Sequence, residues 1–167
     1  MTGGKCYPSK VSPKIRPAAE LTAVVAREKT TGKKIVFTNG CFDLLHRGHL
    51  HILTEAKNLG DLLIVAVNSD RSVRALKGAS RPILSLEERA ELLAALEVVD
   101  YVTSFDELEP SPLIAALRPD VLVKGGDWGR EGVVGRALVE AQGGRVVVIP
   151  YLHGFSTSKI IERIQGK

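Results

Sequence analysis

The stretch Ile35-Val36-Phe37-Thr38-Asn39-Gly40-Cys41-Phe42-Asp43-Leu44-Leu45-His46-Arg47-Gly48-His49 opens as an apolar run and closes on two histidines with a glycine between them. Ile35-Val36-Phe37 reads as a buried strand, and Leu50-His51-Ile52-Leu53-Thr54-Glu55-Ala56 reads as a helix. Strand, turn and helix in that order predict one unit of a parallel sheet. Histidines three residues apart at the helix start fall side by side, where backbone N–H groups have no partner within the helix. That is a place for phosphate.

Working outward, short apolar runs recur at 34–38, 62–67, 100–105, 120–124 and 145–150, each about the length of a buried parallel strand. Helical patterns separate them. Residues 17–31 carry Pro17 in the first turn and Leu21, Val24 and Val25 on one face; 48–58 follow the first strand. Residues 85–96 begin with Ser85 as N-cap and Glu88 at the capping-box position. Residues 111–117 have Pro112 early, 132–142 follow, and 157–165 carry Ile160, Ile161 and Ile164. The alternation predicts an α/β, three-layer Rossmann-like fold with a five-stranded parallel sheet, its ligand beyond the carboxyl ends of the strands near the switch in strand order. A single domain over 17–167 is expected behind a flexible basic leader, 1–16, and no internal repeat is visible.

Composition narrows the class. The formal net charge is +4, and Lys5, Lys10, Lys14 and Arg16 all lie in the leader, which leaves 19 basic and 19 acidic side chains in the rest. A neutral body argues against a broad nucleic-acid face. No apolar run approaches the roughly 20 residues of a membrane span, and the N-terminus lacks the apolar core of a signal peptide. Cys6 and Cys41 make a poor disulfide framework, so a reduced, cytoplasmic setting is expected.

His46 and His49 can donate hydrogen bonds to phosphate oxygens, and Gly48 admits a phosphate close to the backbone. Metal ligation would ask for more partners than His51 and His153 supply, and nothing marks Cys41 as an activated nucleophile; core packing or backbone hydrogen bonding suits Cys41 better. The second strand ends at Asn68-Ser69-Asp70, with Asp70 read as the N-cap of a short helix. Arg74, Lys77 and Arg81 flank Gly78-Ala79-Ser80, either a solvated loop or a basic flap over a triphosphate. Lys124-Gly125-Gly126-Asp127-Trp128 ends the fourth strand, either a structural turn or a frame for a base. Ser156-Thr157-Ser158 opens the last helix as a second anion site, with Ser156 or Thr157 as its cap. No G-x-G-x-x-G follows the first strand and no Walker A motif occurs, which disfavours a dehydrogenase or a P-loop enzyme.

The His46-Arg47-Gly48-His49 turn, paired with Ser156-Thr157-Ser158, resembles the cytidylyltransferase-like nucleotidyltransferase superfamily. Within it the run from Phe37 to Ile164 is similar to the adenylyltransferases that act on D-glycero-β-D-manno-heptose 1-phosphate. The distinctive matches are Thr38-Asn39-Gly40-Cys41-Phe42-Asp43, Val65-Ala66-Val67-Asn68-Ser69-Asp70, Leu76-Lys77-Gly78 with Arg81-Pro82, and Leu122-Val123-Lys124-Gly125-Gly126-Asp127. The resemblance implies transfer of AMP from ATP to the sugar phosphate, giving ADP-heptose, a lipopolysaccharide core precursor, and pyrophosphate. Mg²⁺ would travel with ATP, with no metal ligand expected from the protein.

The same resemblance implies His46, His49 and Lys77 as catalytic groups. It places the nucleotide against Asn39, Gly40, Cys41, Phe42, Gly48, Gly125, Gly126, Asp127, Trp128, Ser156, Thr157 and Ser158. Candidate substrate contacts are Asp43, Asp70, Arg81 and Lys124, and Arg89 reads either as a phosphate contact or as an outward salt bridge. A homo-oligomer is implied, with ATP and a sugar phosphate as partners and neither nucleic acid nor membrane. Members are in many bacteria fused behind a sugar kinase; this chain is expected to stand alone. Glycerol-phosphate cytidylyltransferases carry an Arg-Thr pair where this chain has Tyr151 and Leu152, a departure that favours ATP over CTP. The alternatives are a cytidylyl- or guanylyltransferase for another sugar or polyol phosphate, and a non-catalytic nucleotide-binding module.

Overall fold

In a computed structural model the chain is described over residues 12–126 and 132–166. The sheet is five-stranded in the order β3-β2-β1-β4-β5, from β1 (Ile35–Gly40), β2 (Leu62–Asn68), β3 (Tyr101–Phe105), β4 (Val121–Gly125) and β5 (Arg145–Ile149). All pairings are parallel; Thr38 of β1 stands between Val65 of β2 and Val123 of β4. Around the sheet run α1 (Ala18–Thr30), α2 (Arg47–Lys57), α3 (Asp70–Lys77), α4 (Leu86–Ala94), α5 (Ser111–Leu117), α6 (Arg136–Glu140) and α7 (Thr157–Ile164).

The strands are buried on both faces, which is why they read as unbroken apolar runs. Alternate side chains feed two cores. Val36, Leu63, Val65 and Val67 pack with Ile52, Leu53 and Ala56 of α2 and Ala90 and Leu93 of α4. Ile35, Phe37, Ile64 and Leu122 pack with Leu21 and Val25 of α1, Leu113, Ile114 and Leu117 of α5, and Val139 of α6. The three layers follow directly, and the order of strands switches between β1 and β4. The crevice above that switch is where a doubly wound sheet binds its ligand.

Local structure departs from the sequence expectation in three places. The helix expected over 132–142 starts only at Arg136, because Gly135 takes a left-handed φ of 89° as its N-cap. Ser69 rather than Asp70 caps α3, its side chain accepting from the Ser72 N–H. Within the expected leader, Lys14 and Arg16 bond the backbone of Val102, so this segment is laid along β3. An edge strand offers unpaired N–H and C=O groups to such a segment, whatever its composition. Residues 1–11 of the leader, including Lys5, Cys6 and Lys10, lie outside the described residues. The capping box at Ser85 and Glu88 forms as expected.

Candidate active site

β1 delivers the chain to a turn that ends on His46, the extended N-cap of α2. Its Nδ1 accepts from the N–H groups of Gly48 at 3.1 Å and His49 at 3.4 Å. An imidazole that accepts at Nδ1 holds its proton at Nε2, so the far edge of the His46 ring is a neutral donor. The two imidazoles stack, with ring centres 3.9 Å apart and planes 22° from parallel, and Phe42 closes on His49 at 5.4 Å. Burial lowers the pKa of both; for His49, burial and then the neighbouring His46 bring it to about 4, against a smaller opposing pull from Asp43. Both rings are therefore neutral at pH 7. A Cβ at Gly48 would lie 2.9 Å from His46 Cε1 and 3.4 Å from the Phe155 side chain, so glycine keeps the His46 ring in place.

The start of α7 comes to the same place. Ser156 caps it by accepting from the Lys159 N–H, and Thr157 Oγ1 donates to the Asp43 carbonyl at 2.7 Å. The Arg47 guanidinium lies over the Phe155 ring at 5.6 Å, a second tie between the helix starts. The expectation of three hydroxyls facing phosphate is thereby reduced: Thr157 is committed to the turn, Ser156 donates only its hydroxyl proton, and Ser158 is exposed. Buried Asn39 Oδ1 and His49 Nδ1 have no hydrogen-bond partner among the described residues. Buried polar atoms without partners mark where a bound group would complete the bonding.

Asp43 is corrected from a substrate contact to an internal one. Its side chain is wholly enclosed and accepts from Arg81 Nε at 2.7 Å, the Ile83 N–H at 2.8 Å and the Leu84 N–H at 3.0 Å. Burial pulls its pKa up, but these donors outweigh burial and hold the carboxyl below its ordinary value. Arg81 is correspondingly turned inward onto Asp43. Arg89 is neither a phosphate contact nor an outward ion pair. It is fully buried and donates to Leu84 O, Cys41 O, Asn68 O and the Asp70 carboxylate.

Cys41 is half-buried; burial raises its pKa, partly offset by the charges of Lys77, Arg89 and Arg81 nearby. Lys77 is the exposed last residue of α3. Lys124, on β4 across the switch, is half-buried, and burial lowers its pKa to about 8. Next to it, a Cβ on Gly125 would meet Ile52 Cδ1 at 2.2 Å, so α2 lies directly against this strand end. Gly126 sits at φ 140° with its N–H on Ile149 O at 2.9 Å. Asp127 and Trp128 lie outside the described residues.

Sequence reasoning missed the Arg89 junction. The signal was present: Leu86, Arg89, Ala90 and Leu93 share one helix face, so Arg89 interrupts an apolar stripe.

A parallel sheet with two helix starts converging at its strand-order switch, and neutral imidazole donors on one of them, defines an α/β domain of the nucleotidyltransferase kind. The chain belongs to the cytidylyltransferase-like family, whose model matches residues 37–163. It is 56% identical over 151 residues to the bifunctional protein HldE of Citrifermentans bemidjiense, and 54% identical to that of Geobacter sulfurreducens. Each match covers 90% of this chain but 31% of the relative, so the chain spans about a third of the length of those proteins. Among solved structures, the lipopolysaccharide core biosynthesis protein of Thermoplasma volcanium superposes with a TM-score of 0.59 at 29% identity, covering 72% of this chain and 98% of that one. Pantoate-beta-alanine ligase of Francisella tularensis, at TM-score 0.57 and 15% identity over 90% of this chain and 76% of its own, shares the fold.

Proposed function

We propose that this domain transfers AMP from ATP to D-glycero-β-D-manno-heptose 1-phosphate, giving ADP-heptose and pyrophosphate. The observation that carries the reading is the stacked, neutral His46–His49 pair at a helix start, with the α7 start bonded to the same turn. The motif resemblance suggests the substrate, and the neutral imidazole pair supports the chemistry.

A phosphate oxygen of the sugar attacks the α-phosphorus of ATP, and the bond to the bridging oxygen of the β-phosphate breaks. The nucleophile is already ionised at neutral pH, so no general base is needed. What remains is to hold reactants in line and stabilise charge building on the phosphates. In this reading His46 Nε2–H would donate to that charge, and Lys77 would bring a cation to the triphosphate. Lys124 would face the acceptor phosphate from β4.

Mg²⁺ would supply charge neutralisation on the triphosphate oxygens. Among the described residues no three His, Cys, Asp or Glu side chains converge as a cage, and a cation fits here as a companion of ATP, held by the phosphates. The setting in this reading is the cytoplasm, where ATP is made available; no helix among the described residues is long and apolar enough to cross a membrane. A homo-oligomer belongs to the same reading. Ile164 of α7 is 76% exposed, which offers apolar surface for a second copy, and light scattering after size exclusion should give at least twice the 18.0 kDa chain mass.

The test is a matrix of ATP, CTP and GTP, each with Mg²⁺ and heptose 1-phosphate, read as pyrophosphate released. Turnover is expected with ATP. Release with CTP or GTP but not ATP would overturn the base, and silence with all of them would favour the non-catalytic module.

A further inference from the structure

The turn that presents the histidines is built on unfavourable backbone. Phe42 and Leu44 have φ of 48° and 52°. For residues with a Cβ this left-handed region costs roughly 1–2 kcal/mol each, and it persists where the surroundings over-determine it. The surroundings do so by bonds on either side of Phe42 and on the residue before Leu44. Arg89 Nη1 donates to Cys41 O at 2.6 Å, just before Phe42. Thr157 holds the Asp43 carbonyl between Phe42 and Leu44, and the Asp43 carboxylate is bound from the loop over 81–84.

Among these groups Arg89 bonds the most separate segments. The same Nη1 donates to Asn68 O at the end of β2 at 2.9 Å, Nη2 to Asp70 at the start of α3 at 2.6 Å, and Nε to Leu84 O at 3.1 Å. Leu84 is thus gripped twice, its N–H by Asp43 and its carbonyl by Arg89. A fork of N–H donors in one plane can serve several carbonyls at fixed angles; a lysine ammonium cannot. Enclosing a guanidinium is also costly, and an apolar residue of similar volume commonly leaves a fold as stable or more so. A buried cation bonded to strand ends around a ligand crevice is therefore better accounted for by what it positions.

We propose that Arg89 is a positioning residue: its guanidinium sets the strained turn that carries His46 and His49, and joins it to the loop that follows Lys77. The proposal rests on the catalytic reading of those histidines only for its effect on turnover. Its effect on the turn stands by itself.

The experiment compares wild type with Arg89→Lys and Arg89→Met, each shown to be folded by circular dichroism, in protein labelled at histidine for NMR titration. With the turn released, the His46 and His49 pKa values are expected to rise toward the ordinary 6.5. In the adenylyl-transfer assay kcat is expected to fall about 10–100-fold with KM for ATP changed less than about threefold, the mark of misplaced rather than missing contacts. A folded variant whose His46 and His49 titrate as in wild type overturns the proposal, and so does unchanged kcat. Wild type without turnover would instead sink the functional reading, and the titration would still decide the role of Arg89. A purely structural Arg89 would lower the melting temperature and leave the imidazole titrations alone.

Discussion

His49→Ala is expected to lower kcat by about 10²–10³-fold, as removal of one preorganised donor to transition-state charge does elsewhere. His46→Ala should lose as much turnover and also destabilise α2, because the same ring caps that helix through Nδ1. Loss of an N-cap costs about 0.5–2 kcal/mol. The functions separate in His46→Asn: asparagine is a good N-cap, so stability should recover, but it does not restore the Nε2 donor, so kcat should not. The double alanine variant should be little worse than either single one, since the rings act as a stacked unit. Single-turnover kinetics and denaturant midpoints read both arms, and wild-type turnover in folded His46→Ala would remove the catalytic role.

The pH dependence has a definite sign. His49 is held near 4 in the fold against an ordinary 6.5, so the unfolded chain binds its proton first. Stability is unaffected by this group above about pH 6.5 and falls as pH drops from there to about 4, by on the order of 3 kcal/mol in total. His49→Ala should flatten that part of the stability curve.

Asp43→Ala is expected to cost about 3–5 kcal/mol, because it strands a mostly enclosed arginine and two backbone N–H groups. Asp43→Asn should cost less: it keeps an acceptor but adds donors opposite Arg81 and Ile83. Since the carboxyl is held below its ordinary value, its contribution is complete above pH 3.8 and is lost as pH falls through the folded value. Urea unfolding at pH 7 and at pH 3 checks both statements. A loss under about 1 kcal/mol for Asp43→Ala at pH 7 would show that the loop over 81–84 can let go without cost.

Legibility followed chemistry that is local in the chain. Val36, Val65, Val67 and Val123 announced buried strands because both faces of a parallel sheet are covered, and no distant residue changes that. Ser85 and Glu88 announced a helix start because a capping box closes within one turn. The helix start at His46 was legible for the same reason, whereas the space Gly48 leaves for the His46 ring was not. Arg89 and Asp43 were not. Arginine in a helix and aspartate in a loop are exposed by default, and their partners lie 48 and 21 residues away for Arg89 and 38 to 41 away for Asp43.

The amino-acid sequence by itself determined a five-stranded α/β sheet, a histidine-bearing helix start after its first strand, and a hydroxyl-bearing start on its last helix. Only the tertiary structure decided that Thr157 is bonded to the turn, and that Arg89 and Asp43 are buried beneath it. Capping and periodicity are settled over a few residues, so a sequence displays them. Burial of a charge depends on which distant carbonyls and N–H groups the fold brings round it, and no stretch of sequence contains that information.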